Sequence, residues 1–357
     1  MWISPGHKRL QYSGRIDFTE KEAPIFIFPC SSVRVRFTGS FLKVRLRNRR
    51  QYWENYMGYI ADGKEGKFFL ENELVSLPGE EAHVNCGVLY EIPLDPDVEE
   101  HEVLLFKRQD ACHEVTFLGF ETDESGEVLE PPARPRRRIE VYGDSVSAGE
   151  VSEAVGYTGR PDPKHNGQYS NSRYSYAWIT AERLGAELHD VAQGGIALLD
   201  KTGWFNEPDQ IGMESVWDKV HYNPAFGPTS EWRFEEYTPQ VVIVAIGQND
   251  SHPEDYMKED YDGVRAAAWR DAYGVFLRKI REKYPQSRIV CITTLLEHDP
   301  AWDRSIDAVC EGMHDEKIRH FMFRRNGRGT PGHLRISEAE EMAEELSAYI
   351  ESLDIGW

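Results

Sequence analysis

The stretch VVIVAIGQND, residues 241–250, is a continuous apolar run that stops at a glycine and then turns polar. An apolar run of this length, without alternation, reads as a strand covered on both faces, the situation of a parallel sheet between helices. Its surroundings repeat the theme. IEVYG (139–143) is a short strand entering a glycine turn, and RIVCITTL (288–295) is a further buried strand. Between them, SRYSYAWITAERLG (172–185) places Tyr176, Ile179 and Leu184 at helical spacing, and 264–284 is a long helix. Near the end, Ser337 and Glu340 form a capping box before Met342, Leu346 and Ile350. Strands alternating with helices predict a three-layer α/β/α domain with a parallel sheet.

Upstream the period changes. IFIFP, VRVRF, LKVRLR, KFFL, EVLLFK and HEVTFLGF are short, several alternate apolar with polar, and turn residues separate them. That pattern predicts an antiparallel sandwich or jelly roll over residues 1–130. The proline- and arginine-rich EPPARPRRR, 130–138, is read as a linker, leaving 131–357 for the α/β domain. The length of 357 residues accommodates both units.

The formal net charge of -20 argues against sequence-independent nucleic-acid binding, which needs a net basic face. The basic run Arg45–Arg50 alternates with apolar residues and reads as the solvated face of a strand. Cys30, Cys86, Cys112, Cys291 and Cys310 lie far apart without metal or redox spacing, as expected of reduced thiols in a cytoplasmic protein. The N-terminal segment lacks the apolar core of a secretion signal, and no stretch is long enough to span a bilayer, so no membrane partner is expected. A homo-oligomer stays open.

Ligands of open α/β sheets sit beyond the carboxyl ends of the strands. The residues there are Gly143-Asp144-Ser145, Gly194-Gly195 and Gly247-Gln248-Asn249-Asp250, while His333 lies in the loop before the last helix. A serine hydroxyl becomes nucleophilic when an imidazole accepts its proton, and the resulting oxyanion needs preorganised donors. Ser145 as nucleophile, His333 as base, and the Ser145 and Gly195 amides with the Asn249 side chain as oxyanion donors would satisfy that chemistry. Asp144 and Asp250 are read as braces for the turns. Trp302 is the first candidate for an aromatic that stacks on a bound ligand, followed by Trp204 and Trp217. No HxH or HExxH spacing suggests a metal site.

The four blocks around Ser145, Gly195, Asn249 and His333 resemble those of the SGNH (GDSL-type) hydrolases. With GRIDF (14–18), SSVRVRFTGSFL (31–42) and EWRFEEYTPQVVIVAIGQND (231–250), the chain is similar to the family-two carbohydrate esterases, which join a β jelly roll to an SGNH domain. The resemblance implies removal of acetyl groups from acetylated sugars, such as xylo-oligosaccharides, with no metal or organic cofactor. It departs at Thr330, where most SGNH hydrolases carry an aspartate. The expectation is therefore a Ser145–His333 dyad, with the carbonyl near Thr330 accepting from His333 Nδ1. Asp299 or Glu297 is the substitute acid in the competing triad. An SGNH lipase or thioesterase, a sugar-binding protein with an inactive hydrolase half, and a metal-dependent hydrolase are the alternative functions.

Overall fold

In the computed structural model, residues 1–71 and 87–357 are described; Cys86 lies outside them. Strands as far as Val128–Leu129 form two antiparallel sheets. The central strand of one is His113–Glu121, flanked by Leu42–Arg50 and Ile25–Phe26. The other centres on Glu100–Lys107 between Ser32–Thr38 and Asn55–Ala61. Alternation decides which side chains meet between the sheets: Val33, Val35 and Phe37 face Val44, Leu46, Val115 and Phe117 in one core. On Leu42–Arg50 the arginines fall on the alternate, partly exposed positions. Asn55–Ala61 and Val88–Ile92 are strands that the sequence reading had not singled out.

The second half carries a five-stranded sheet whose described pairings are all parallel. Its strands are Arg137–Gly143, Ala186–Ala192, Val241–Ala245, Arg288–Cys291 and Ile318–His320, in spatial order second, first, third, fourth, fifth. Val242 and Val244 enter the core beneath the helix Val264–Lys283, while Val241, Ile243 and Ala245 enter that beneath Tyr176–Arg183 and Ile336–Ser352. One apolar strand thus serves two cores, the reason its sequence does not alternate. The strand order reverses between the first and third strands, and a crevice opens there at their carboxyl ends.

The last helix starts one residue earlier than the expected cap. Its first residue is Ile336, after Arg335, and Glu338 Oε2 accepts from the Arg335 amide at 3.2 Å. Ser337 and Glu340 therefore do not form the capping box read from the sequence. The cause is that Arg335 is fully buried and fixed by its own side-chain partners, which sets where the helix begins.

The two halves share a buried charge pair. Arg15, from the β half, places Nη2 2.9 Å from Glu140 Oε1 on the first parallel strand, and both side chains are wholly inaccessible. Its Nη1 donates to the carbonyls of Trp217 and Lys219 at 2.7 and 3.0 Å.

Candidate active site

Ser145 follows directly on the strand ending at Gly143, in a tight turn where Ala148 N donates to Asp144 O and Glu150 N donates to Ser145 O, each at 3.0 Å. It is nearly buried and lines a cleft of about 520 Å³ together with Gly195, Asn249 and His333. Ser145 Oγ and His333 Nε2 make no hydrogen bond to each other among the described residues; such bonds often tighten only when substrate is bound. The backbone N–H groups of Ser145 and Gly195 likewise donate to nothing among the described residues.

Gly195 has φ of +73°, and a side chain there would run into Trp204, so the block needs glycine for both conformation and clearance. Asn249 lies in a short turn after the third strand. Its amide donates to Ile196 O at 3.0 Å and, more weakly, to Asp144 Oδ2 at 3.3 Å. Asp144 also takes Val146 N at 2.9 Å and Gln248 Nε2 at 3.0 Å. Asp250 holds the next loop through Leu198 N at 2.8 Å and Leu199 N at 3.2 Å. Both acids thus tie the strand-end turns together.

His333 does have a carboxylate partner, and it is one the sequence reading did not consider. Asp162 Oδ2 sits 2.7 Å from His333 Nδ1, and the same carboxylate accepts from His333 N at 3.1 Å and from Arg335 Nη2 at 2.9 Å. Arg335 in turn donates to His333 O at 2.6 Å. Gly332, at φ +93°, leaves room for this packing, because a Cβ would lie 2.7 Å from Asp162 Oδ1. Burial disfavours the Asp162 anion, but His333 and Arg335 outweigh it and hold its pKa near about 2. Burial also opposes the imidazolium, yet Glu150, Asp162 and Asp144 lift His333 to about 9.

The glycine block is anchored from the other half of the molecule. Asp110, in the loop between Glu100–Lys107 and His113–Glu121, accepts from Gly194 N at 2.6 Å and from Gln193 Nε2 at 2.8 Å. Tyr52 and Trp53 of the β half line the cleft together with Trp204, which is 55% exposed and stacked on His252. Among the described residues no group of three or more His, Cys, Asp or Glu is arranged to hold a metal ion, and no helix is long and apolar enough to cross a membrane.

Residues 12–132 match the family model described as Carbohydrate esterase 2 N-terminal. The chain is 28% identical to the cellulase/esterase CelE of Acetivibrio thermocellus over 97% of its own length. It is 29% identical over 55% of its length to the acetylxylan esterase / glucomannan deacetylase of Cellvibrio japonicus. A solved family two carbohydrate esterase from Clostridium thermocellum, in complex with cellohexaose, superposes with a TM-score of 0.76 at 26% identity, covering 96% of this chain and 98% of that one. The solved structures this chain resembles include family two carbohydrate esterases, and its β-rich half followed by a helix-flanked parallel sheet is consistent with the SGNH α/β/α fold. The chain spans only 39% and 50% of the lengths of these two curated relatives.

Against the family-two resemblance, three expectations need correction. The Ser–His dyad oriented by the Thr330 carbonyl is overturned by Asp162, since an anion is a far better acceptor for an imidazolium N–H than a neutral carbonyl. Thr330 is buried and differently engaged, its N–H donating to Glu338 Oε1 at 2.7 Å and its hydroxyl accepting from Gly159 N at 2.9 Å. Nor is the substitute acid Asp299 or Glu297. Asp299 caps the helix Pro300–Gly312 through Ala301 N at 2.9 Å, and Glu297 is exposed.

Trp302 and Trp217 are not sugar platforms. The Asp299-Pro300 start signal makes Trp302 helical and turns it inward, edge-on to Trp269, with Nε1 3.0 Å from Asp255 Oδ1. Trp217 packs against Tyr142, Phe234 and Phe276 in the core. The aromatics that do line the cleft are Trp204, a later candidate, and Tyr52, Trp53 and Phe205, which were missed.

Proposed function

We propose that this protein is a carbohydrate esterase that removes O-acetyl groups from acetylated sugars through an acyl-enzyme on Ser145. The observation that carries the reading is the Asp162–His333 pair standing in one cleft with Ser145 and two unengaged backbone amides. In the neutral ring Asp162 fixes the tautomer, so that the proton sits on Nδ1 and the Nε2 lone pair is free. His333 Nε2 takes the proton of Ser145 Oγ as the oxygen bonds to the ester carbon. The carbonyl electron pair moves onto oxygen, where the N–H groups of Ser145 and Gly195 receive it. Asn249 adds a third donor by giving up its weak contact to Asp144. The imidazolium then protonates the departing sugar oxygen, and a water attacks the acetyl-serine by the same route in reverse.

Sugar as the alcohol half of the ester is supported by Trp53 and Trp204 lining the cleft and by the names of the relatives. Release of acetate from acetylated xylo-oligosaccharides, and of p-nitrophenol from p-nitrophenyl acetate, tests the proposal. Ser145→Ala is expected to lower both at least about 10⁴-fold. Activity that survives this substitution would exclude Ser145 as nucleophile. A lipase or thioesterase would instead gain rate as the acyl chain lengthens beyond propionyl.

A further inference from the structure

Glu150 lies one turn beyond Ser145, lines the same cleft, and is mostly buried, its side chain 11% exposed. Its carboxyl makes no hydrogen bond among the described residues. The nearest opposite charge is His333, whose Nε2 is 3.8 Å from Glu150 Oε2, on the ring edge remote from Asp162. That distance is too long for a hydrogen bond and short enough for a strong ion pair. The imidazole therefore stands between two carboxylates, one bonded at Nδ1 and one facing Nε2, and the triad uses only the first.

We infer that Glu150 is a positioning residue that decides when His333 becomes a base, because its carboxylate holds in place the Nε2 proton that must leave before Ser145 can give up its own. The inference rests on His333 being the general base. In the resting state the pair is an imidazolium facing a carboxylate. Loss of the Nε2 proton to water frees the lone pair, which then accepts the Ser145 proton as the Oγ–carbon bond forms. The imidazolium so regenerated again faces Glu150. The carboxylate thus delays the onset of activity as pH rises, and steadies the charged ring once the serine has attacked.

The neighbours of Glu150 agree with that role. Asp110 and Tyr52 approach from the β half, Asp144 from its own turn, and Asp162 and His333 from two further loops. Arg335 acts on this cluster through its bond to Asp162. Burial raises the Glu150 pKa to about 7 despite the attraction of His333, and the surrounding acids add to the rise. Glu150 and His333 consequently exchange charge within an accessible range, each shifting the titration of the other.

Two measurements test this on the full chain. In the first, the imidazole nitrogens of His333 are titrated by NMR in the native protein, in Glu150→Gln and in Glu150→Asp. The expected result is a His333 pKa lower by about one unit or more in Glu150→Gln, with Glu150→Asp staying nearer the native value. In the second, kcat/KM for p-nitrophenyl acetate is followed against pH. The ascending limb of Glu150→Gln should move downward by the same amount, while its plateau falls a few-fold as the base weakens. A His333 titration unchanged in Glu150→Gln would overturn the inference. Should Glu150→Gln fail to fold, the carboxyl carbon of Glu150 and the His333 ring in the native protein must each show the other's step; two independent single-step curves would overturn it as well. An inactive native protein with coupled titrations would refute the esterase reading and leave the coupling standing.

Discussion

Asp162 reaches His333 across 171 residues of sequence, held between Pro161 and Pro163 in a loop without helix or strand. Its carboxylate binds the ring, the backbone of the same residue and Arg335, so it fixes the rotamer and the tautomer together. Asp162→Asn preserves the shape but presents an NH2 to Nδ1 and favours the wrong tautomer. A fall in kcat of roughly 10²- to 10⁴-fold with little change in KM is expected in steady-state assays of p-nitrophenyl acetate. The direction of pH dependence follows from His333. Its pKa is raised to about 9, so the inactive imidazolium predominates at neutral pH and kcat/KM should climb with pH, half-maximal near that value. A limb that levels off near the ordinary histidine pKa would show that the two acids do not act on the ring. Ser145, Gly195, Asn249 and His333 were legible in the sequence because each sits at a strand end or just before a helix, where the fold itself points. Asp162 was not, because a lone Pro-Asp-Pro segment reads the same whether its acid braces a loop or a catalytic ring. Arg335 was equally silent, its role depending on burial that no local pattern reveals.

At the scale of elements, the parallel strands could be read because both of their faces are covered and the apolar runs are unbroken. The edge strand Ile318–His320 escaped, being three residues with a single buried apolar side chain. Trp302 shows the same limit from the other side. The sequence made it a candidate for ligand stacking, whereas Asp299 and Pro300 begin a helix that carries it into the core. The loop 108–112 has a consequence for catalysis, because its Asp110 takes two hydrogen bonds from the glycine block that precedes Gly195. Asp110→Ala removes that anchor without touching Ser145 or His333. The Gly195 amide should drift from the oxyanion position, lowering kcat by roughly 10- to 100-fold while KM changes little. A variant with native kcat would show that the block holds its shape unaided.

At the scale of the whole molecule, the β half supplies Tyr52 and Trp53 to the cleft and Asp110 to the glycine block behind it, and its Arg15 neutralises Glu140 on the parallel sheet. Arg15→Met would leave Glu140 as a buried, unpaired acid, at a cost of about 3–5 kcal/mol, measurable as a lowered midpoint in urea denaturation. Full retention of the midpoint would mean that the pair contributes nothing net. The two halves should accordingly unfold in one transition, since separating them strands a charge on each side. The buried pair also bears on the order of events at the ribosome. Arg15 is synthesised before its partners: Glu140 follows 125 residues later, and the Trp217 and Lys219 carbonyls more than 200 residues later. The sandwich therefore emerges with an unanswered guanidinium that water must solvate until translation is far advanced. Its final closure belongs after the second half has been made, so nascent chains stalled before residue 219 should remain protease-sensitive around Arg15 and become resistant once that point is passed.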